Sequence, residues 1–336
     1  MTDVSTDRDN ETAVHPFARI SPDLVLDAVE SLGLVCNGQL AALNSYENRV
    51  YQIGIDQSEP VILKIYRPER WTDAQILEEH AFQLELTEAE LPCVPPEYFN
   101  GETLHSHDEF RFAVFKRRGG HAPDLDEPGT LKMLGRLLGQ MHNIGASSKF
   151  LHRPPLTTDA FLGRGRTLIE TEFLPPDLLP AYRSVVDDLT ARCRAILDDS
   201  YLAAGIRIHG DLHRGNILWR DDYFNLVDFD DARTAPPIQD IWMLLAGDRE
   251  AQCQQLDNVL EGYETFREFD YPSLRWIEAL RTIRMIHHAG WIAERWQDPA
   301  FPQAFTWFNS PRYWSDHILQ LREQQSAIQE RPLSVF

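Results

Sequence analysis

The chain has 336 residues, of which 43% are hydrophobic and 25% charged, which is ordinary for a globular protein and enough for one large domain or two lobes. Its formal net charge of -20 argues against a nucleic-acid partner, because proteins that bind nucleic acid need a basic stripe. The same charge disfavours binding to an anionic membrane surface.

The N-terminal segment, residues 1–14, is acidic and polar, which predicts a disordered tail. It has no apolar run of the kind that a signal peptide requires, and no stretch of the chain approaches the length of a membrane span. The four cysteines stand far apart without a C-x-x-C pair, as is typical of reduced thiols. We therefore expect a cytoplasmic protein that acts as a monomer.

Residues 15–115 are predicted to form a small, β-rich N-terminal lobe. Ser21 and Pro22 begin a helix that ends before Gly33. A second helix is predicted over residues 73–88. Its expected buried side consists of Ile76, Leu77, His80, Leu84 and Leu86. The main predicted strands, which would form an antiparallel sheet, are 40–43, 50–55, 60–66 and 110–115.

The basic and glycine-containing residues 116–120 are the predicted hinge, and residues 121–330 the larger, helical C-terminal lobe. Leu131, Leu134, Leu138 and Met141 mark its first helix. Further helices are predicted at 177–199, 238–247, 249–268, 272–297 and 313–329. The expected fold class is thus α+β, with two lobes of unequal size.

Residues 208–233 carry the strongest indication of chemistry. Two short apolar segments around the polar turn at 220–222 predict a β-hairpin. Asp211 and Asn216 would lie in the loop that enters this hairpin, and Asp228 at its exit. Carboxylate and amide oxygens suit Mg²⁺, and one of the two aspartates can instead accept a proton from an attacking hydroxyl. Protein kinases use an Asp, an Asn five residues later and a subsequent Asp in this way.

Lys64 lies in an apolar predicted strand, where a buried charge requires a partner. The helix that follows offers Glu78 and Glu79, of which Glu79 is favoured. A strand lysine that holds nucleotide phosphates and is braced by a helix glutamate is the arrangement found in kinases. The alternative is an edge lysine whose amine reaches water.

The turn at residues 44–49 contains hydroxyl, amide and backbone N–H groups that could cap a phosphate. Polar residues are common in turns, so this indication is weak by itself. Neither G-x-G-x-x-G nor G-x-x-x-x-G-K-[ST] occurs in the chain, which excludes a Rossmann dinucleotide site and a P-loop.

Several other polar residues leave two interpretations open. His209, Asp211 and His213 could ligate a catalytic metal, but His209 is favoured as a buried histidine that braces the loop, with His213 at the mouth of the site. Asp240 could cap a helix or anchor the catalytic loop. Asp230 and Asp231 could tune the metal site or cap the turn, and neither is assigned direct contact with the metal. Aromatic residues expected to form helical core rather than a substrate wall are Trp291, Trp296, Trp307, Phe308 and Trp314.

The motifs H-G-D-L-H-x-x-N-I-L-W, V-D-F-D-D-A-R and Q-D-I-W-M-L-L resemble those of the aminoglycoside phosphotransferase–choline kinase group. More narrowly, L-N-S-Y-E-N-R-V-Y-Q, K-I-Y-R-P-E-R-W and Q-I-L-E-E-H are similar to the stress response kinase A family of bacterial Ser/Thr protein kinases. The likeness runs from about Phe17 to about residue 330. Relative to eukaryotic protein kinases, the chain lacks the glycine loop, has H-G-D for H-R-D, and has V-D-F-D for D-F-G.

The resemblance implies a bilobal, protein-kinase-like fold that uses ATP and Mg²⁺ in a stress response. It implies that Asp211 accepts the proton, that Asn216 and Asp228 bind the metal, and that Ser45 and Lys64 contact ATP. We therefore expect transfer of the γ-phosphate to a Ser/Thr hydroxyl of a protein. The alternatives are a small-molecule kinase of the aminoglycoside, choline or homoserine type, a metal-dependent hydrolase, and a nucleotide-binding regulator without turnover.

Overall fold

A computed structural model of the protein describes residues 15–335. The N-terminal part of the chain folds around a five-stranded antiparallel sheet, with strand order β1-β2-β3-β5-β4 for the strands defined below. The tail predicted at 1–14 lies outside the described residues. The elements of this lobe are α1 (Pro22–Glu30), β1 (Cys36–Ala42), β2 (Arg49–Ile55), β3 (Val61–Ile65), α2 (Asp73–Glu88), β4 (His105–His107) and β5 (Phe110–Lys116).

Local sequence signals set the bounds of both N-terminal helices. Ser21 caps α1 by accepting the N–H of Leu24, with Pro22 in the first helical position. Thr72 and Gln75 form a reciprocal capping box at the start of α2. Helix α2 therefore spans the predicted residues 73–88.

The predicted buried side of α2 was partly wrong. Leu77 is 46% exposed and Leu84 is only half-buried, whereas Ile76, His80 and Leu86 are buried as predicted. The additional buried side chains are Glu79, Phe82 and Gln83. The difference arises because the buried face of α2 meets Lys64 as well as apolar neighbours. The carboxylate of Glu79, paired with Lys64, is therefore buried, and the predicted Leu77 is not.

The C-terminal lobe is mainly helical, which confirms the bilobal α+β prediction. Its helices are α3 (Pro128–Ser147), α4 (Thr158–Leu162), α5 (Arg166–Leu168), α6 (Leu179–Ile196), α7 (Asp199–Ala203), α8 (Ile238–Trp242), α9 (Arg249–Tyr263), α10 (Ile277–Glu294), α11 (Ala300–Ala304) and α12 (Pro311–Ala327). Its strands are β6 (Ile206–Ile208), β7 (Ile217–Arg220), β8 (Tyr223–Leu226) and β9 (Arg233–Ala235). Strands β6 and β9 pair antiparallel, and β7 pairs with β8.

Several predicted helices are shorter than expected. The segment 238–247 is helical only over α8, and 272–297 begins as a 3₁₀ turn, Tyr271–Trp276, before α10. Pro272 stands in the first turn of this segment, where its missing N–H is tolerated. The sequence did not predict the short helices α4, α5, α7 and α11, which contain less than two turns, or the three-residue strands β6 and β9.

Each lobe has its own hydrophobic core. In the N-terminal lobe, Val25 and Val29 of α1 belong to the same buried cluster as Leu63 of β3. The larger core joins the C-terminal helices to the β7–β8 hairpin and also receives Phe82 and Leu86 of α2. Helix α2 thus connects the sheet to the helical lobe. No helix between residues 15 and 335 combines the length and apolarity needed to cross a membrane.

Helices α3 and α9 approach each other closely at glycines. A Cβ at Gly135 would lie 2.0 Å from the carbonyl oxygen of Val259, so backbone would have to move. We expect Gly135→Ala to lower the free energy of unfolding by about 2–3 kcal/mol through overpacking. Urea unfolding followed by circular dichroism measures this.

The matched control for that substitution is Gly129→Ala in the same helix, where a Cβ meets nothing within 4 Å. It should leave stability unchanged or raise it by up to about 1 kcal/mol, because alanine favours the helix. Equal effects of the two substitutions would contradict the close packing of α3 on α9.

Candidate active site

The loop after β6, residues 209–216, is held by a buried carboxylate from α8. Asp240 accepts the backbone N–H groups of His209, at 2.9 Å, and Gly210, at 2.8 Å, and also contacts His142 at 3.2 Å. Of its two predicted roles, anchoring the loop is confirmed. The helix-cap role was wrong, since Pro237 occupies the cap position of α8.

Glycine at position 210 follows from the backbone geometry of this loop. Gly210 has φ +84°, and a Cβ there would lie 2.2 Å from the carbonyl oxygen of Asp231. An arginine at this position, as in H-R-D, would therefore be strained and would clash. The substitution of H-G-D for H-R-D is thus imposed by the close approach of the two loops.

His209 is fully buried and uses both ring nitrogens. Its Nε2 lies 3.0 Å from the carbonyl oxygen of Val227, and its Nδ1 accepts the N–H of Asp211 at 3.4 Å. The bracing interpretation is therefore confirmed, and His209 is not free to bind a metal. Among residues 15–335, no group of three or more His, Cys, Asp and Glu side chains is arranged to hold a metal ion.

The predicted hairpin is confirmed and brings its two ends together. Strands β7 and β8 pair from Ile217 opposite Leu226 outward to a turn at Asp221 and Asp222, both with positive φ. At the base of the hairpin, the N–H of Val227 donates to the carbonyl oxygen of Asn216 at 3.1 Å. Asp228, the next residue, therefore lies beside Asn216, as the sequence predicted.

Asn216 and Asp228 are suited to hold Mg²⁺. The amide nitrogen of Asn216 donates to the carbonyl oxygen of Asp211 at 2.9 Å, which leaves the amide oxygen available. The side chain of Asp228 is 55% exposed, and both residues line the same cleft. One amide oxygen and one carboxylate, with water and phosphate oxygens completing the shell, match the preference of this cation.

Lys64 is buried and paired with three carboxylates. Its Nζ lies 3.1 Å from Asp230 Oδ1, 3.3 Å from Asp228 Oδ1 and 3.5 Å from Glu79 Oε1. Burial alone would lower the pKa of Lys64, but these carboxylates, Asp230 above all, raise it well above its usual value. The lysine is therefore charged at neutral pH.

The choice of Glu79 over Glu78 as the partner of Lys64 is confirmed. Glu79 is buried between Lys64 and Arg153, whose Nη2 is 3.4 Å away. Glu78 instead accepts three successive backbone N–H groups, from residues 151–153. The contact of Asp230 with Lys64 was missed by the sequence prediction, because Asp230 and its neighbour Asp231 look equivalent until the chain folds.

The turn before β2 faces the same cleft and is fixed to the C-terminal lobe. Ser45 Oγ donates to the carbonyl oxygen of Asn48 at 3.2 Å. Glu47 Oε2 lies 2.7 Å from Arg295 Nε and accepts the indole N–H of Trp291 at 2.5 Å.

The aromatic residues that were predicted to form helical core divide into two groups. Phe308 and Trp314 belong to the core as predicted, whereas Trp291 borders the cleft and Trp307 is 44% exposed.

Asp211 lines the cleft, which has a volume of about 940 Å³. Arg284 Nη1 lies 2.7 Å from its Oδ1, and His213 Nε2 lies 3.6 Å from its Oδ2. Burial raises the pKa of Asp211, and the positive charge of Arg284 works against this increase. The arrangement can hold a reactive carboxylate opposite a charged lysine and an oxygen-rich cation site.

Arg284 was missed by the sequence prediction, although α10 contained a signal. Its cleft-lining residues recur at helical spacing, namely Arg284, His287, His288, Trp291 and Arg295. The opposite face is apolar and buried. Polar residues on one face of a helix usually indicate solvent exposure, so this pattern alone did not place them in a cleft.

Comparison with known proteins gives matches over most of the chain. The model of the "Phosphotransferase enzyme family" matches residues 39–277. Stress response kinase A of Escherichia coli (strain K12) is 42% identical, covering 95% of this chain and 97% of the relative. The serine/threonine protein kinase RdoA of Salmonella typhimurium is 38% identical over the same shares of the two chains.

Solved structures share the fold at lower identity. An amicoumacin kinase in complex with AMP-PNP and Ca²⁺ superposes with a TM-score of 0.72 at 20% identity, covering 95% of this chain and 96% of the other. A microcompartment-associated aminopropanol kinase gives 0.67 at 17% identity, covering 91% and 99%.

Proposed function

The chain belongs to the phosphotransferase enzyme family, and from that membership we propose that it transfers the γ-phosphate of Mg-ATP to a Ser/Thr hydroxyl of proteins. The names of its relatives, a stress response kinase and a serine/threonine protein kinase, support this choice of acceptor. We place this activity in a cytoplasmic stress response, carried out by a monomer.

The observation that carries the proposal is the meeting of residues from both lobes in one cleft. Lys64, buried in the sheet, contacts Asp228 of the helical lobe at 3.3 Å, and Asp228 lines the cleft together with Asp211, Asn216 and Ser45 of the N-terminal lobe. A lysine for phosphate, oxygen ligands for a cation and a proton acceptor are the parts that phosphoryl transfer needs.

In this proposal Lys64, fixed by Glu79 and Asp230, holds the α- and β-phosphates, and Ser45 contacts a phosphate from the turn above. Asn216 and Asp228 hold Mg²⁺, which offsets the charge of the phosphate oxygens when bound. These groups act by position and by charge, which are the main sources of rate enhancement in phosphoryl transfer.

Asp211 orients the acceptor hydroxyl and takes its proton. The hydroxyl oxygen forms a bond to the γ-phosphorus as the bond from that phosphorus to the β-phosphate oxygen breaks, and ADP leaves. The oxygen of Asp211 not paired with Arg284 is available for this proton. The phosphorylated acceptor and ADP are thus the products.

A small-molecule alcohol is the second candidate acceptor. The cleft of about 940 Å³ lies within the range of small-molecule sites, roughly 300–1,000 Å³. A short polypeptide segment entering the cleft and a metabolite enclosed by it are both compatible with this volume, so the experiment must separate them.

Incubation with γ-labelled ATP tests the proposal. The purified protein is incubated with Mg²⁺ and cell lysate, and the lysate is then split into protein and metabolite fractions. We expect label in serine or threonine of proteins, and none when EDTA removes Mg²⁺. Label confined to the metabolite fraction would favour the small-molecule acceptor, and ATP binding without transfer in either fraction would favour a regulator.

A further inference from the structure

One face of α10 forms a wall of the cleft next to the proposed proton acceptor. Arg284 and His287 lie one turn apart on this face and line the cleft. Arg164 lines the same wall from the segment between α4 and α5, with its Nε 2.5 Å from Glu294 at the end of α10. Each of these arginines faces a carboxylate, Arg164 that of Glu294 and Arg284 that of Asp211.

Arg284 has donors to spare. Its guanidinium carries five N–H groups, yet its one ion pair within residues 15–335 is the contact of Nη1 with Asp211 Oδ1 at 2.7 Å. The side chain is 35% exposed and faces the cleft. An arginine fork of this kind is suited to hold a second carboxylate or a phosphate beside the first.

His287 lies beside Arg284 on this wall of the cleft. Its Nδ1 is buried and has no hydrogen-bond partner in the described chain, while its ring packs on Phe161 with centroids 4.3 Å apart. Burial and the charge of Arg164 lower the pKa of His287 to about 3, so the ring is neutral at pH 7. Because this nitrogen has no surface open to the cleft and the ring is uncharged, the remaining N–H groups of Arg284 are the donors that an anion can reach.

The geometry points to an anion-binding subsite in which Arg284 holds a carboxylate or phosphate of the acceptor next to the hydroxyl that Asp211 deprotonates. This inference rests on the proposed kinase function and deepens it, because it specifies an acceptor Ser or Thr flanked by acidic residues.

The subsite also explains why an arginine contacts the proton acceptor. Without an acceptor, the charge of Arg284 stabilises Asp211 as a carboxylate but reduces its basicity. An anion on the acceptor shares the guanidinium and weakens this effect as the hydroxyl arrives. Acceptors with a neighbouring anion are therefore expected to react faster as well as bind more tightly.

Three peptides test the inference when they share one serine and differ only in flanking Asp, Asn or Lys residues. Wild type is expected to phosphorylate the Asp peptide with kcat/KM about 10- to 100-fold above the Asn peptide, the range of a charge-assisted hydrogen bond. In Arg284→Gln this ratio should fall to near one. Arg284→Lys keeps the charge without the fork and should retain part of the preference.

Arg281→Gln is the matched control. Arg281 lies on the same helix, one turn before Arg284, and its guanidinium contacts Glu278 and Gln252 rather than the cleft. The control should keep the wild-type ratio. A preference that survives in Arg284→Gln would overturn the subsite. An equal loss for all three peptides would also overturn it and would place Arg284 on the transferred phosphate instead.

Two further measurements separate the outcomes. A small hydroxy acid and its amide replace the peptides in a parallel assay, and label that enters only the acid in an Arg284-dependent way supports the subsite with a metabolite as its source. ATP hydrolysis without acceptor is followed throughout. Wild type that hydrolyses ATP but shows no preference for anions overturns the subsite alone, whereas wild type without any phosphoryl transfer overturns the proposed function together with it.

Discussion

Asp211→Asn is expected to lower kcat for phosphoryl transfer by about 100- to 10,000-fold, the range for loss of a general base. The affinity for Mg-ATP should change by no more than a few-fold, because Lys64, Asn216 and Asp228 remain in place. The asparagine is isosteric and keeps the loop fixed by Asp240. Steady-state kinetics with labelled ATP, together with ATP titration by calorimetry, measure the two quantities separately.

The pH dependence of kcat provides a control for the role predicted for Asp211. Burial raises the pKa of Asp211, so the fraction of reactive carboxylate falls as the pH drops through this raised value. Wild type should therefore lose activity on the acid side at a higher pH than an ordinary aspartate would cause. This acid limb should be absent from the residual activity of Asp211→Asn. Equal kcat in both proteins would refute the role of Asp211.

Asp228→Asn is expected to weaken binding of Mg-ATP by about 100-fold, because it removes the charged one of the two proposed protein ligands of Mg²⁺. Asparagine is the suitable replacement here, since Asp228 has φ +61° and Asn tolerates this left-handed backbone better than Ala. Lys64 keeps Glu79 and Asp230 as partners, so the contact between the lobes should survive.

Asp222→Asn is the matched control for the metal prediction. Asp222 lies in the same hairpin with nearly the same φ, +59°, but is exposed at the turn away from the cleft. It should bind Mg-ATP as wild type does. Calorimetric titration of Mg-ATP, repeated at several Mg²⁺ concentrations, measures the difference. Unchanged Mg²⁺ dependence in Asp228→Asn would place the metal elsewhere.

The parts that sequence predicted well depend on short-range rules. Two short apolar segments around the turn at 220–222 specify the hairpin, and the hairpin alone brings Asn216 beside Asp228. The capping residues Thr72 and Gln75 specify where α2 begins. In each case the interacting residues are close in sequence or joined by one reversal of the chain.

The errors and omissions arose where distant segments meet. Leu77 was predicted on the buried side of α2 but is exposed. Contacts of α2 with Lys64 of the sheet and with the helical lobe determine which face of the helix is buried. Asp230 and Asp231 could not be distinguished by spacing. Only the folded chain turns Asp230 to Lys64 and joins Asp231 to Arg233 at 2.8 Å.

The sequence by itself determined the two-lobed α+β plan, the hairpin and the identity of Lys64, Asp211, Asn216 and Asp228 as the polar residues of interest. Periodicity, caps and turns encode these features locally. Tertiary structure alone decided which charges meet across the cleft: Lys64 and Asp228 are 164 positions apart, and Trp291 is 244 positions from Glu47. No local rule encodes such pairings, because burial in the assembled fold determines which charged groups must find a partner and which remain in water.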